Sequence, residues 1–196
     1  MSNTLIQTSI QPEAIGEWLV HNAQASSTGL SWSFSYPSDP HQYLPEQAES
    51  LDREGGIIYF LLELYSCTKK AHYLKTALGV LEALLEHCAQ TSTGNYSPFT
   101  GRSSLLVLLI KAHEVTTDQS YLKQALQLIQ TFDHEAYLKS EYSANGFYHG
   151  RAGVLLNYLR LYQLTSDAEL LQLIVDYTLA VCKGADNKPA GRLVWP

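Results

Sequence analysis

Apolar positions along this chain follow two helical patterns that alternate. Stretches 57–65, 105–112 and 154–162 are apolar almost all the way round a helix, which predicts helices buried on every side. Amphipathic stretches come after them. The first carries Tyr73, Leu74, Ala77, Leu78, Leu81, Leu84 and Leu85, and the second Tyr121, Leu122, Ala125, Leu126 and Ile129. Both sets recur at helical spacing, which predicts outer helices with one solvent face. The third amphipathic stretch, 170–181, holds Leu170, Leu171, Leu173, Ile174, Val175, Tyr177, Leu179 and Val181. That is more than one inward stripe can use, so part of its surface is expected to want a neighbour.

The alternation is an internal repeat. Gly150-Arg151-Ala152-Gly153-Val154-Leu155-Leu156 lies 49 positions after Gly101-Arg102-Ser103-Ser104-Leu105-Leu106-Val107. A further shift of 48 leads to the copy that holds Glu54-Gly55-Gly56-Ile57-Ile58-Tyr59-Phe60. The turns fall in step, with Thr68, Thr116-Thr117-Asp118 and Thr165-Ser166-Asp167. A fixed period of this size means stacked supersecondary units. Three full hairpins are expected, at 54–90, 101–132 and 150–182, after an N-terminal half-repeat with Ile15, Trp18, Leu19 and Ala23 on one face.

Asp118 and Asp167 stand just ahead of their outer helices and are read as N-caps, because a carboxylate there accepts free backbone N–H groups. Gly55, Gly56, Gly101, Gly150 and Gly153 cluster at the mouths of the inner helices. Glycine costs a helix about 1 kcal/mol against alanine, so close backbone approach or a tight turn from the preceding loop is expected there. A strand reading of those loops fails for want of β-branched residues and of any sustained period-2 run. Gly29-Leu30-Ser31-Trp32 and Gly191-Arg192-Leu193-Val194-Trp195 share a flavour at the two ends.

Composition narrows the function. The chain has 196 residues, 45% of them hydrophobic and 16% charged, enough for one sizeable core. Its formal charge of −6 arises wholly from residues 1–100, so no basic patch for nucleic acid is expected. Apolar runs of six residues, as at 105–110, fall far short of the roughly 20 that cross a membrane, and no signal-peptide plan opens the chain. A soluble, cytoplasmic protein is expected. Cys67, Cys88 and Cys182 form no CxxC pair and are read as small buried hydrophobes. His87 and Cys88 are adjacent on a helix and point about 100° apart, so they cannot grip one metal ion.

Alternating buried and amphipathic helices with a period near 48 residues imply an all-α fold of side-by-side hairpins, an α/α toroid or part of one. The glycine-bearing mouths of the inner helices, the Thr-x-Asp turns, the Tyr-Leu or Leu-Leu pairs after them and the Leu-x-Trp-Pro end resemble the lanthionine synthetase C-like family. That resemblance implies a toroid about twice this long, so the 196 residues are read as a single, incomplete domain. It also implies a peptide cyclase in which zinc activates a cysteine thiol for addition to dehydroalanine or dehydrobutyrine. The family's zinc ligands, in a Trp-Cys-x-Gly type motif and a Cys-His pair, have no counterpart here. No metal ligand or other cofactor is therefore assigned to this chain, and zinc is expected only in a missing C-terminal half.

His149, in the loop before an inner helix, is the candidate catalytic residue, since histidine titrates near neutral pH. Its repeat counterparts are Thr100 and Asp52. Tyr148, Arg102 and Arg151 are the candidate substrate-binding residues, the arginines for a carboxylate or phosphate, with surface salt bridging as the plainer alternative. Three functions are weighed: a lanthionine synthetase C-like peptide-modifying protein, a non-catalytic scaffold for a peptide or partner protein, and a carbohydrate-active toroid enzyme. The last would use aromatic platforms among Trp32, Tyr36, Tyr96, Phe147, Tyr148 and Trp195, but its acids, Asp39, Glu46, Glu49, Asp52 and Glu54, fall in one connection. It ranks last. Open repeat ends are expected to drive self-association.

Overall fold

What stops each inner helix sets the course of the chain. α2 (Glu54–Thr68), α4 (Ser104–Thr116) and α7 (Arg151–Thr165) all end on a threonine. Each threonine hydroxyl donates to the carbonyl four residues back, Leu64, Ala112 or Leu161, at 2.7, 2.7 and 2.9 Å. The same hydroxyls accept the N–H two residues ahead, at Lys70, Asp118 and Asp167. Between those two bonds the chain turns left-handed, at Lys69 (φ 59°), Thr117 (φ 62°) and Ser166 (φ 52°), whose N–H groups close back on Tyr65, His113 and Tyr162. This is the single-bond αL helix stop, made without glycine.

The computed structural model describes residues 11–26, 29–32, 51, 53–90, 95–139, 145–183, 186–187 and 193–194. Past each corner an outer helix returns: α3 (Ala71–Gln90), α5 (Ser120–Gln130) and α8 (Ala168–Lys183). Asp167 caps α8 as expected, its Oδ1 accepting the Leu170 N–H at 2.9 Å. Asp118 accepts the Ser120 N–H at 2.8 Å, one residue ahead of the helical cap position. The three hairpins stand side by side, α2 against α4 and α4 against α7, with α3 also touching α4 and α5 touching α7. α1 (Pro12–Asn22) touches α2 and α3 in the same manner, as the outer helix of a preceding unit would. The fold is all-α, built of helical hairpins repeating at about 48 residues.

Five short elements among the described residues lie outside the helical rhythm. α6 (His134–Lys139) comes after α5, its Ala136 N–H capped by Asp133 at 2.9 Å. β1 (Gln24–Ser26) pairs antiparallel with β2 (Gly29–Ser31), and β3 (Asp186–Asn187) with β4 (Leu193–Val194). The shared flavour at the two ends thus corresponds to a hairpin after α1 and another after α8. Tyr36, Asp39, Glu46, Glu49, Asp52 and Trp195 lie outside the described residues.

The core runs along the seam between layers, with Ile58, Leu61, Leu62, Leu105, Leu108, Leu109 and Val154 fully buried on the inner helices. Two expectations need correction. Only Cys88 is buried, while Cys67 and Cys182 are exposed, because both sit near helix ends on faces that none of the described residues covers. Nor is every inner helix buried all round. α7 packs on α4, and among the described residues no inner helix covers its other flank; Leu156, Leu159 and Leu164 of α7 are exposed, as are Leu171, Val175 and Leu179 of α8.

Under α6 lies a chain of polar bonds within aromatic packing. His134 Nε2 is 3.0 Å from the Ile129 carbonyl, which can only accept, so the neutral ring carries its proton there. Nδ1 is then an acceptor, and the Tyr177 hydroxyl donates to it at 3.2 Å. Burial holds the imidazole below its ordinary pKa, opposed by the Ile129 carbonyl and by Asp133. Because the folded state binds the proton more weakly than the unfolded chain, this site's stabilisation is complete above the ordinary histidine pKa of about 6.5 and declines as the pH falls below it. Melting temperature is therefore expected to fall more between pH 7.5 and 5.5 in the native chain than in His134→Gln. Equal falls in the two would remove the role of His134.

Candidate functional site

The mouths of the three inner helices open on one side, and the loop 95–100 braces them together. Asn95 Oδ1 accepts the Ser97 N–H at 3.0 Å and its amide donates to the Thr100 carbonyl at 2.9 Å, which rounds the loop into a compact turn. The Phe99 carbonyl accepts the Leu51 N–H from the first mouth at 2.7 Å. On the other side the Ser97 hydroxyl donates to the Tyr148 carbonyl of the third mouth at 3.2 Å. Glycine is required where loop and helix touch. A Cβ on Gly56 would lie 2.2 Å from the Leu51 carbonyl oxygen, and one on Gly153 would lie 2.0 Å from that of Phe147.

Inside the mouths the inner helices enclose a cleft of about 310 Å³. Its walls are Tyr59 of α2, Val107 of α4, Leu156, Asn157 and Arg160 of α7, and Phe99 and Phe147 from the loops. Tyr59, Val107 and Leu156 are repeat equivalents, spaced 48 and 49 residues apart. So are Glu63, Lys111 and Arg160, one turn further along. These form a ladder across the three helices. Lys111 Nζ lies 2.8 Å from Glu63 and 3.7 Å from Glu114, and Arg160 lies 3.3 Å from Glu114. The hydrogen bond from Lys111 holds the Glu63 carboxyl below its usual range, and burial, reinforced by the Glu63 charge, pushes the Tyr59 phenol up. Lys111 also lies 5.8 Å from the centre of the Tyr59 ring.

The residues singled out from sequence divide into two pairs. Tyr148 and His149 are exposed at the rim. Tyr148 packs on Phe99 with ring centroids 5.0 Å apart, and His149 Nδ1 is 3.5 Å from the Thr100 hydroxyl. Arg102 and Arg151 turn away from the cleft toward the outer layer. Arg102 is 7% exposed and its guanidinium donates to the Cys88 carbonyl at the end of α3. Arg151 donates to the Leu138 carbonyl of α6 at 3.0 Å and to Asn145 at 3.1 Å. Glu54 occupies the same repeat position and accepts the Trp32 N–H at 2.9 Å, while burial raises its pKa. All three side chains therefore tie an inner helix to the segment before it.

Trp32 and Tyr96 are core residues, 4% and 7% exposed, and present no face on which a sugar could stack. The described side chains do not fit zinc. Cys67, Cys88 and Cys182 lie on three different helices, and among the described residues no group of three or more His, Cys, Asp or Glu side chains could hold a metal ion. Among the described residues, too, no helix is long and apolar enough to cross a membrane.

Stacked inner and outer helices with an apolar cleft at the inner mouths define an all-α protein of repeated helical hairpins. The family model for lanthionine synthetase C-like proteins matches residues 55–192, and the chain belongs to that family. Compared with curated proteins, the chain finds no match.

Proposed function

We propose that this chain binds a peptide across the inner-helix mouths, as part of a lanthionine synthetase C-like protein acting in the cytoplasm. The observation that carries the reading is the braced, apolar cleft formed by equivalent positions of three successive repeats in a member of this family. Tyr148 and His149 are assigned to the peptide at the rim, and Arg102 and Arg151 to holding the mouths that present them. The family resemblance implies thioether formation with a zinc-held thiolate in a complete protein. The described side chains offer no such ligand set, so binding without chemistry is the function proposed for this chain alone. A scaffold would bind in the same way and differ only in leaving the bound peptide unmodified in the complete protein too. The exposed flank of α7 and α8 is where the proposed self-association would form.

A dehydrated, cysteine-containing peptide carrying a fluorophore is expected to bind saturably, by anisotropy. Its free-thiol count should stay at the uncatalysed level. Tyr148→Ala should weaken binding about fivefold to tenfold, the usual effect of truncating an aromatic anchor. Loss of thiols that depends on the protein, or a peptide that fails to bind, would overturn the proposal.

A further inference from the structure

We propose that the cleft at the mouths of α2, α4 and α7 is a pocket for one uncharged aromatic side chain, phenylalanine-like in size. The inference deepens the peptide-binding reading and rests on it only for the claim that the ring arrives on a peptide.

Size sets the first limit. About 310 Å³ is the low end of the range for small-ligand sites, roughly 300 to 1,000 Å³, with room for one ring and its neighbouring atoms but not for a folded segment. Wall chemistry sets the second. Phe99 and Phe147 meet at 5.7 Å between centroids with planes tilted by 59°, and Tyr59 stands on the α2 side of the same cleft. Rings so inclined offer an edge and a face to a third ring, the arrangements aromatic pairs prefer, and add to what burial of apolar area alone supplies.

Charge sets the third limit. The ionic and amide groups at the cleft already have protein partners: Arg160 with Glu114 at 3.3 Å, Lys111 with Glu63 at 2.8 Å, and the Asn157 amide with the Ser103 carbonyl at 3.2 Å. A carboxylate or ammonium entering the cleft would lose water and meet groups whose charges already balance, whereas a neutral ring would displace water and need no charged partner. The pocket is also formed in advance, because the Leu51–Phe99 and Ser97–Tyr148 bonds fix its loop wall to the mouths on either side. Little ordering is left for the ligand to impose.

Four capped amino acids test this on the full 196-residue chain, read by the methyl NMR signals of Val107 and Leu156. N-acetyl-phenylalaninamide should give saturable shifts at both residues. N-acetyl-leucinamide should bind about threefold to tenfold more weakly, and the glutamate and lysine analogues should give no saturable shift. Val107→Trp fills the cleft and should abolish the phenylalanine shifts at Leu156. Leu156→Glu, at a position already 41% exposed, puts a charge in the wall and should reverse the preference toward the lysine analogue while the melting temperature stays near native. Equal responses to all four probes, or phenylalanine binding that survives both substitutions, would overturn the pocket. Ring binding without binding of the dehydrated peptide would instead sink the peptide reading and leave the pocket standing.

Discussion

Gly153→Ala is expected to destabilise the protein by about 3 kcal/mol, at or above the upper end of what one added methyl usually costs in a packed site. The new Cβ would lie 2.0 Å from the Phe147 carbonyl oxygen and 2.5 Å from Pro98 Cγ, and neither is the far end of a flexible side chain. Something must move, and lifting the 145–150 loop away from α7 relieves the closest contact. The same movement carries Phe147 out of the cleft wall, so ring binding should fall with stability. Gly146, in the same loop, is the internal control. A Cβ there meets nothing within 4 Å and its φ is not in the left-handed region, so Gly146→Ala should be neutral or slightly stabilising. Urea denaturation of the two variants checks the pair. A Gly153→Ala midpoint within error of the native one would mean that loop and helix are not in contact.

The second large effect is expected at Arg102. Its guanidinium is buried and donates to the Cys88 carbonyl, tying the mouth of α4 to the end of α3. Arg102→Met keeps most of the apolar stem and removes the charged donor. Hydrogen bonds to charged groups contribute about 1.5 to 3 kcal/mol, and a loss in that range is expected, seen as a lower urea midpoint at unchanged slope. Arg102→Lys should recover only part of it, since an ammonium cannot reproduce the planar fork. If Arg102→Met instead kept native stability and lost peptide binding, Arg102 would be a ligand contact and not a tie between layers.

Much of this architecture is legible in the sequence because each repeat states it again. The buried pattern of 57–65 returns at 105–112 and 154–162, so no single stretch has to carry the argument. The glycines and threonines are visible for the same reason, although the sequence alone does not say that Thr68, Thr116 and Thr165 act through their hydroxyls. What the period does not repeat stays hidden. α6 depends on a cap at Asp133 and on burial of its own Tyr137, and β1 to β4 are two or three residues each, too short for an alternating pattern to show. The arginines mislead in a different way. Position in a repeat shows that Arg102, Arg151 and Glu54 are equivalent, yet not whether they face the cleft or the layer behind. The cleft is in principle readable, since laying the inner helices in register puts Tyr59 over Val107 and Leu156, and Glu63 over Lys111 and Arg160. Which of those stripes faces inward becomes clear only once the hairpins are packed.

The helix stops at Lys69, Thr117 and Ser166 leave those positions oddly unconstrained. All three are exposed, and each takes a left-handed conformation that an L-residue resists by about 1 to 2 kcal/mol. A turn that relied on the residue at its apex would have selected glycine three times. Here the threonine one step earlier bends the chain, and the apex is occupied by a lysine, a threonine and a serine with no common chemistry. Each apex is thus an open slot on the surface, where a substitution that keeps the left-handed backbone, or a chemical label on the side chain, could sit without the core registering the change.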